Sequence, residues 1–283
     1  MTVKLNEPKT IVFHPGMGKT ATSAIQLAGL AIPNDDIDIA CFSPYGVLGD
    51  AHNAFASNHP LFDHETFEIE WKKLLTYAKQ RNSSTIISTE FLIRDNPQHI
   101  KRLIEDCYSQ GLNVKVIVAI RNYTDYLTSA FLQAVKVNWG IKSDENLFLF
   151  SQRELNSIRL NQLIDVWSRH IGDHNTYIID YDKHKTCFLE LFFKQFSIKL
   201  DRLGIENKEV NSSIPLAVAP MLRHFDRVNL NPKDRERFIE MLKTFDYKPA
   251  YQSNTKARLQ SDVVKNSYLH DLELIKARYH LID

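Results

Sequence analysis

Ile11 to Gln26, IVFHPGMGKTATSAIQ, opens with a short apolar run that reads as a buried strand and passes through Pro15, Gly16 and Gly18. It then enters a segment in which Ala21, Ala24, Ile25 and Ala28 recur at helical spacing. The pattern is strand, glycine loop, helix. At such a junction the first backbone N–H groups of the helix lack intrahelical partners and carry the positive end of its dipole, so an anion is favoured there. Lys19 adds a charge, and Thr20, Thr22 and Ser23 add hydroxyls. The nucleoside-triphosphate loop GxxxxGK[ST] needs a glycine five residues before Gly18, where Phe13 stands. A loop one glycine short suits a single phosphate or sulfate group better than a triphosphate tail, and the sequence offers no convincing second strand ending in an aspartate positioned to hold magnesium.

Working outward, strands and helices alternate. Ile37 to Phe42, Ser84 to Thr89, Val114 to Ile120 and Thr176 to Ile179 read as strands. Trp71 to Gln80, Pro97 to Gln110, Arg153 to His170 and His184 to Phe196 read as helices. The run VKVIVAI, Val114 to Ile120, is almost continuously apolar, as suits the middle of a parallel sheet covered on both faces. These alternations predict βαβ units and a three-layer, P-loop-like α/β fold with a central parallel sheet. Helical segments are expected near Leu216 to Val228, Lys233 to Phe245 and Leu259 to Tyr279. The expected organisation is a single domain over 1–283, with an α/β core over 1–200 and a helical extension over 201–283 packed on it. Ligands of such folds lie beyond the carboxyl ends of the strands, which collects Lys19, Glu90 and Arg121 at one edge.

RNYTDYLTSAFLQAVK follows the VKVIVAI strand. Leu127, Ala130, Phe131, Ala134 and Val135 form an apolar helical stripe, with Tyr126, Ser129, Gln133 and Lys136 on the other side. Arg121 stands at the strand end and Ser129 eight residues on, a spacing that brings a bidentate guanidinium and a hydroxyl towards one anion.

The two stretches resemble the signatures of sulfotransferases that use 3′-phosphoadenosine-5′-phosphosulfate (PAPS), in particular the bacterial carbohydrate type. Its loop HxGxxKTxT is matched by His14, Gly16, Lys19, Thr20 and Thr22, and its arginine and serine by Arg121 and Ser129. The departures are Pro15, Gly18 and Ala21. Weaker similarities are Ser88 and Glu90, His52 and Asn53, the strand leading to Tyr181, and Asn211 to Ser213. The resemblance implies a loop (Gly16, Gly18, Lys19, Thr20, Ala21, Thr22) holding the 5′ side of PAPS, and Arg121 with Ser129 holding its 3′-phosphate. It implies 3′-phosphoadenosine-5′-phosphate (PAP) as product, no required metal, and an acceptor hydroxyl on a carbohydrate. Sulfuryl transfer to a hydroxyl calls for a general base. Lys19 is expected at the leaving phosphate, and His52, in the long loop Tyr45 to His64, or Glu90, at a strand end, as the base. His14 is expected to tether the loop by a hydrogen bond. Lys256 and Arg258 are candidates to close over the donor.

A formal net charge of +1 over 283 residues argues against a general nucleic-acid binder. Cys41, Cys107 and Cys187 are isolated, with no CxxC pair, which fits a reducing environment. The N-terminal residues lack the apolar stretch of a signal peptide, and no apolar run approaches the roughly 20 residues of a bilayer span. The expectation is a cytoplasmic protein, with peripheral docking on a glycan-assembly machinery left open. A P-loop small-molecule kinase and a catalytically silent nucleotide-binding subunit remain alternatives on the same fold.

Overall fold

The computed structural model describes residues 5–138, 140–142, 145–200, 216, 219–227, 231–243 and 262–283. Asn211 to Ser213, Lys256 and Arg258 lie outside the described residues, as does part of each expected C-terminal helix. The strands are β1 (Thr10–His14), β2 (Cys41–Phe42), β3 (Ser84–Ser88), β4 (Asn113–Ile120), β5 (Thr176–Asp180) and β6 (His280–Ile282). The helices are α1 (Thr22–Leu30), α2 (His64–Lys79), α3 (Pro97–Ser109), α4 (Tyr123–Val137), α5 (Leu147–Leu155), α6 (Leu160–Ile171), α7 (Tyr181–His184), α8 (Phe188–Lys194), α9 (Ala219–Arg227), α10 (Pro232–Lys243) and α11 (Asp262–Arg278). The chain divides into two compact units: 1–121, 160–208 and 273–283, and 122–159 with 209–272. This division differs from the expected boundary at residue 200, because α4 and α5 belong with the later helices and the last residues return to the sheet.

The first unit is a three-layer α/β fold. Its six strands run in the order β2-β3-β1-β4-β5-β6, and every pairing is parallel. From Val114 onward β4 is buried throughout, the consequence of helices on both faces. On one face Val12, Ile86, Ile117, Ala119 and Ile179 pack with Ile25 and Ala28 of α1 and Phe188, Phe192 and Phe193 of α8. On the other, the Phe13 ring lies 6.4 Å from Trp71 of α2 and 5.0 Å from Trp167 of α6. Asn96 caps α3 and Asp63 caps α2, each side chain accepting a backbone N–H two or three residues on.

Two edges depart from expectation. Only Cys41–Phe42 of the expected strand Ile37 to Phe42 joins the ladder, and Ile37 and Ile39 are exposed. The preceding carbonyls are claimed instead by the buried Arg81 guanidinium, which donates to those of Asn34 (3.0 Å), Asp36 (2.5 Å) and Ile39 (2.6 Å). Ser83 Oγ donates to the carbonyls of Ile37 and Ile39. At the other edge the chain leaves α11 and adds β6 beside β5, with Tyr177 opposite His280.

The second unit is helical. Phe131, Leu132 and Val135 of α4 share a core with Leu147 and Phe150 of α5, Leu222 of α9 and Leu242 of α10. Tyr126, expected on the open side of α4, is buried. Arg235 donates to the carbonyls of Val135 and Lys136 at the end of α4, supplying partners the helix cannot provide for itself. The buried Asp271 carboxylate accepts from Tyr123 Oη and pairs with Arg159 at 3.2 Å.

Gly29 of α1 tests the packing of the first unit. A Cβ there would lie 2.3 Å from the buried Phe42 ring. Alanine in a helix ordinarily gains roughly 1 kcal/mol over glycine, whereas overpacking costs about 1–3 kcal/mol. Gly29→Ala is therefore expected to lower the urea midpoint. An unchanged or raised midpoint would contradict this contact.

Candidate anion-binding site

The loop from Pro15 to Ala21 joins β1 to α1 in a conformation that side chains resist. Lys19 has φ 69° and Ala21 φ 56°, both left-handed, where a non-glycine residue costs about 1–2 kcal/mol. Ala21 is the N-cap of α1, and no side chain caps the helix there, so its first N–H groups face the loop without a side-chain acceptor. Gly16, at φ +51°, passes so close to Thr22 that an added Cβ would stand 3.0 Å from Oγ1. Thr20 is buried and its hydroxyl donates to the Met17 carbonyl at 2.5 Å, bracing the turn from within. Thr22 Oγ1 lies 3.4 Å from Thr20 Oγ1. The two hydroxyls are thus part of the loop's own scaffold.

What stabilises this strain comes from the neighbouring strand. β4 lies beside β1, and at its end an Arg121 Nη donates to the Lys19 carbonyl at 2.7 Å. The guanidinium is mostly buried, with Nε 3.7 Å from Asp182 Oδ1 and Cζ 5.4 Å from the centre of the Tyr181 ring. Tyr181 and Asp182 follow β5, the next strand over. Three adjacent carboxyl ends thereby converge on the Lys19 loop, at a helix N-terminus whose dipole favours an anion. Asp182 was not singled out from sequence, although the rule that ligands lie beyond strand ends covers it. Ser129 lies in the second turn of α4, half-buried, in the second unit.

Glu90 comes to the same loop from β3, the strand on the other side of β1. A Cβ on Gly18 would lie 3.0 Å from Glu90 Oε2, so the missing side chain leaves room for the carboxylate. Glu90 is exposed and opens a 3₁₀ turn, Glu90–Arg94, capped by Thr89. Thr89 Oγ1 donates in turn to Asn53 Oδ1 at 2.6 Å, and Asn53 Nδ2 donates to the Leu48 carbonyl.

His52 is placed differently from a base. It is completely buried, and both ring nitrogens are engaged by backbone: Nδ1 accepts from the Ser88 N–H at 3.0 Å and Nε2–H donates to the Ser43 carbonyl at 3.0 Å. A ring so held has no lone pair to offer an acceptor hydroxyl, and it joins the long loop to β3. His14 is likewise buried, with Nδ1 2.8 Å from Ser88 Oγ, so its tether runs to β3. Ser88 is therefore gripped by a histidine on either side, two residues before Glu90.

No family model and no curated protein matches the chain. Among solved structures it is similar to the crystal structure of a sulfotransferase from Alicyclobacillus acidocaldarius, at 13% identity and a TM-score of 0.44, over 81% of this chain and 99% of that one. A likeness at that level adds nothing to the reading of the site.

The histidine pair generates a pH dependence. Burial pushes His14 down to about 3, and burial also lowers His52, in keeping with an Nδ1 that accepts the Ser88 N–H. In the unfolded chain each titrates near 6.5. Below that pH the unfolded state binds protons that the folded state does not, so stability falls on acidification, by up to about 1.4 kcal/mol per pH unit for each ring. Urea unfolding between about pH 6 and pH 4 should show this slope, and His14→Asn should make it shallower than in the wild type. Identical slopes would contradict a neutral, buried His14.

Proposed function

We propose that the chain is a PAPS-dependent sulfotransferase acting on a carbohydrate hydroxyl. The observation that carries this reading is the hydrogen bond from Arg121 to the Lys19 carbonyl. It links Lys19 of the first stretch to Arg121, the residue that opens the second, and the two stretches resemble the donor-binding signatures. By that resemblance Gly16, Gly18, Lys19, Thr20, Ala21 and Thr22 receive the 5′ side of the donor, and Arg121 and Ser129 the 3′-phosphate. The kinase alternative loses ground because Phe13, where a triphosphate loop needs glycine, has its ring in the core between Trp71 and Trp167.

In the proposed reaction an acceptor oxygen attacks sulfur in line with the bond to the 5′-phosphate. A new S–O bond forms, the old one breaks towards PAP, and the hydroxyl proton passes to a base. Lys19 neutralises charge on the departing phosphate oxygen, as positioned cations do in phosphoryl transfer. Glu90 takes the proton, in preference to His52, because its carboxylate is exposed beside the loop while both nitrogens of His52 are occupied. The sulfate ester and PAP are the products.

Transfer of radiolabelled sulfur from PAPS to an oligosaccharide panel tests these roles. Glu90→Gln should lower kcat by about two to four orders of magnitude while PAP still binds. Lys19→Ala should lower it by about two to three orders. Undiminished turnover in either variant would overturn the assignment.

A further inference from the structure

A second recess lies in the first unit, away from the loop residues. It is a cleft of about 440 Å³ beside α2, lined by Tyr45, Lys72, Lys73, Thr76, Tyr77 and Gln80. The volume falls within the range of small-molecule sites. Its aromatic wall is two tyrosine rings set edge to face, 5.7 Å apart. Tyr77 is fixed through its hydroxyl and Tyr45 through its backbone. The Tyr77 hydroxyl donates to the Asn34 carbonyl and accepts from Arg81 at 2.7 Å, with Cys41 Sγ 3.1 Å away. Tyr45 is held by Ser43, whose Oγ accepts the Tyr45 N–H and donates to its carbonyl. The next residue, Gly46, donates its N–H to Glu70 of α2 at 3.0 Å, so the loop is pinned to the helix.

The polar lining is one-sided. Lys72 and Lys73 are exposed, and no carboxylate lines the cleft. Lys73 is paired at 2.8 Å with Glu70, while no ion pair involving Lys72 occurs among the described residues. Gln80 adds an amide, and the Thr76 hydroxyl, donating to the Lys72 carbonyl, keeps its lone pairs as acceptors. Aromatic faces, an exposed ammonium and neutral hydrogen-bonding groups suit a ring that is apolar on its faces, hydroxylated at its rim and negatively charged. The cleft approaches the proposed site only at its Tyr45 end, because Gln80 stands just before the start of β3. Tyr45 lies just past β2, at the sheet edge that carries Lys19, and its loop runs on through His52 to the backbone of Ser88, two residues before Glu90.

We propose that this cleft is a subsite for an anionic saccharide, holding one unit of an oligosaccharide acceptor that already carries carboxylate or sulfate groups. This rests on the sulfotransferase reading above and narrows its acceptor to a charged chain. A neutral sugar would forgo the attraction of the exposed Lys72 ammonium and is expected to bind more weakly.

Calorimetric titrations with an oligogalacturonate hexamer, a sulfated heparin-derived hexamer and neutral maltohexaose test this, each on the wild type, Lys72→Glu and Tyr45→Ala, with PAP titrated in parallel. Binding of at least one anionic hexamer, about tenfold weaker in both variants, with maltohexaose silent and PAP unchanged, is the expected result. Whichever anionic hexamer binds identifies the acidic group. If PAP binds normally but neither anionic hexamer binds, or the variants bind like the wild type, the cleft is not the subsite and the donor reading stands. If PAP fails to bind while the hexamer keeps its dependence on Lys72, the cleft stands and the donor reading falls.

Discussion

One hydrogen bond, from the Arg121 guanidinium to the Lys19 carbonyl, decides what the rest of the site can be. Lys19 and Ala21 both hold left-handed backbone, which alone disfavours the loop by about 2–4 kcal/mol in all. Arg121 offsets part of that cost through a charge-assisted bond to the strained residue itself. The arginine is oriented in turn by Asp182 and the Tyr181 ring. A cation that ordinarily would be read only as a ligand for an incoming anion is thus also a structural brace of the loop. Replacing it is expected to disturb loop and ligand together, so the Lys19 and Glu90 variants separate binding from architecture more cleanly.

The other side of the loop depends on Ser88. Its N–H is accepted by His52, its carbonyl accepts from the His52 backbone N–H, and its hydroxyl meets His14. Two buried neutral imidazoles therefore fix the end of β3 and, with it, the start of the turn that bears Glu90. This arrangement works only while both rings remain uncharged, because a buried imidazolium would lose hydration and gain no carboxylate partner in this network. The proposed base and two stabilising histidines therefore meet at one strand end.

Much of the first unit was legible in the sequence. β1, the glycine loop and α1 announce themselves because apolar periodicity changes from strand to helix across Pro15 to Ala21. β4 was legible because burial on both faces leaves no polar alternation. β2 shrank to two residues because Arg81, forty residues further on, claims the carbonyls that a strand would have used, a tertiary competition that local pattern does not contain. β6 was missed since His280–Ile282 is only three residues long and follows directly on a helix, and only β5 beside it supplies the partner. His52 misled for a related reason: its loop has no periodicity, so nothing local says which histidines turn inward. The Glu90 carboxylate at Gly18 was half visible, as a strand-end acid, while the glycine that makes room for it looked like a mere departure from a motif.

The central claim is that the Lys19 loop and Arg121 hold a nucleotide bisphosphate. Isothermal titration of the purified protein with PAP, repeated with Lys19→Ala and with ATP plus magnesium, tests it most directly. The account predicts tight binding of PAP, its loss in the variant, and no binding of ATP. Binding of ATP with magnesium, abolished by chelator, together with indifference to PAP would contradict it and turn the loop into a kinase site.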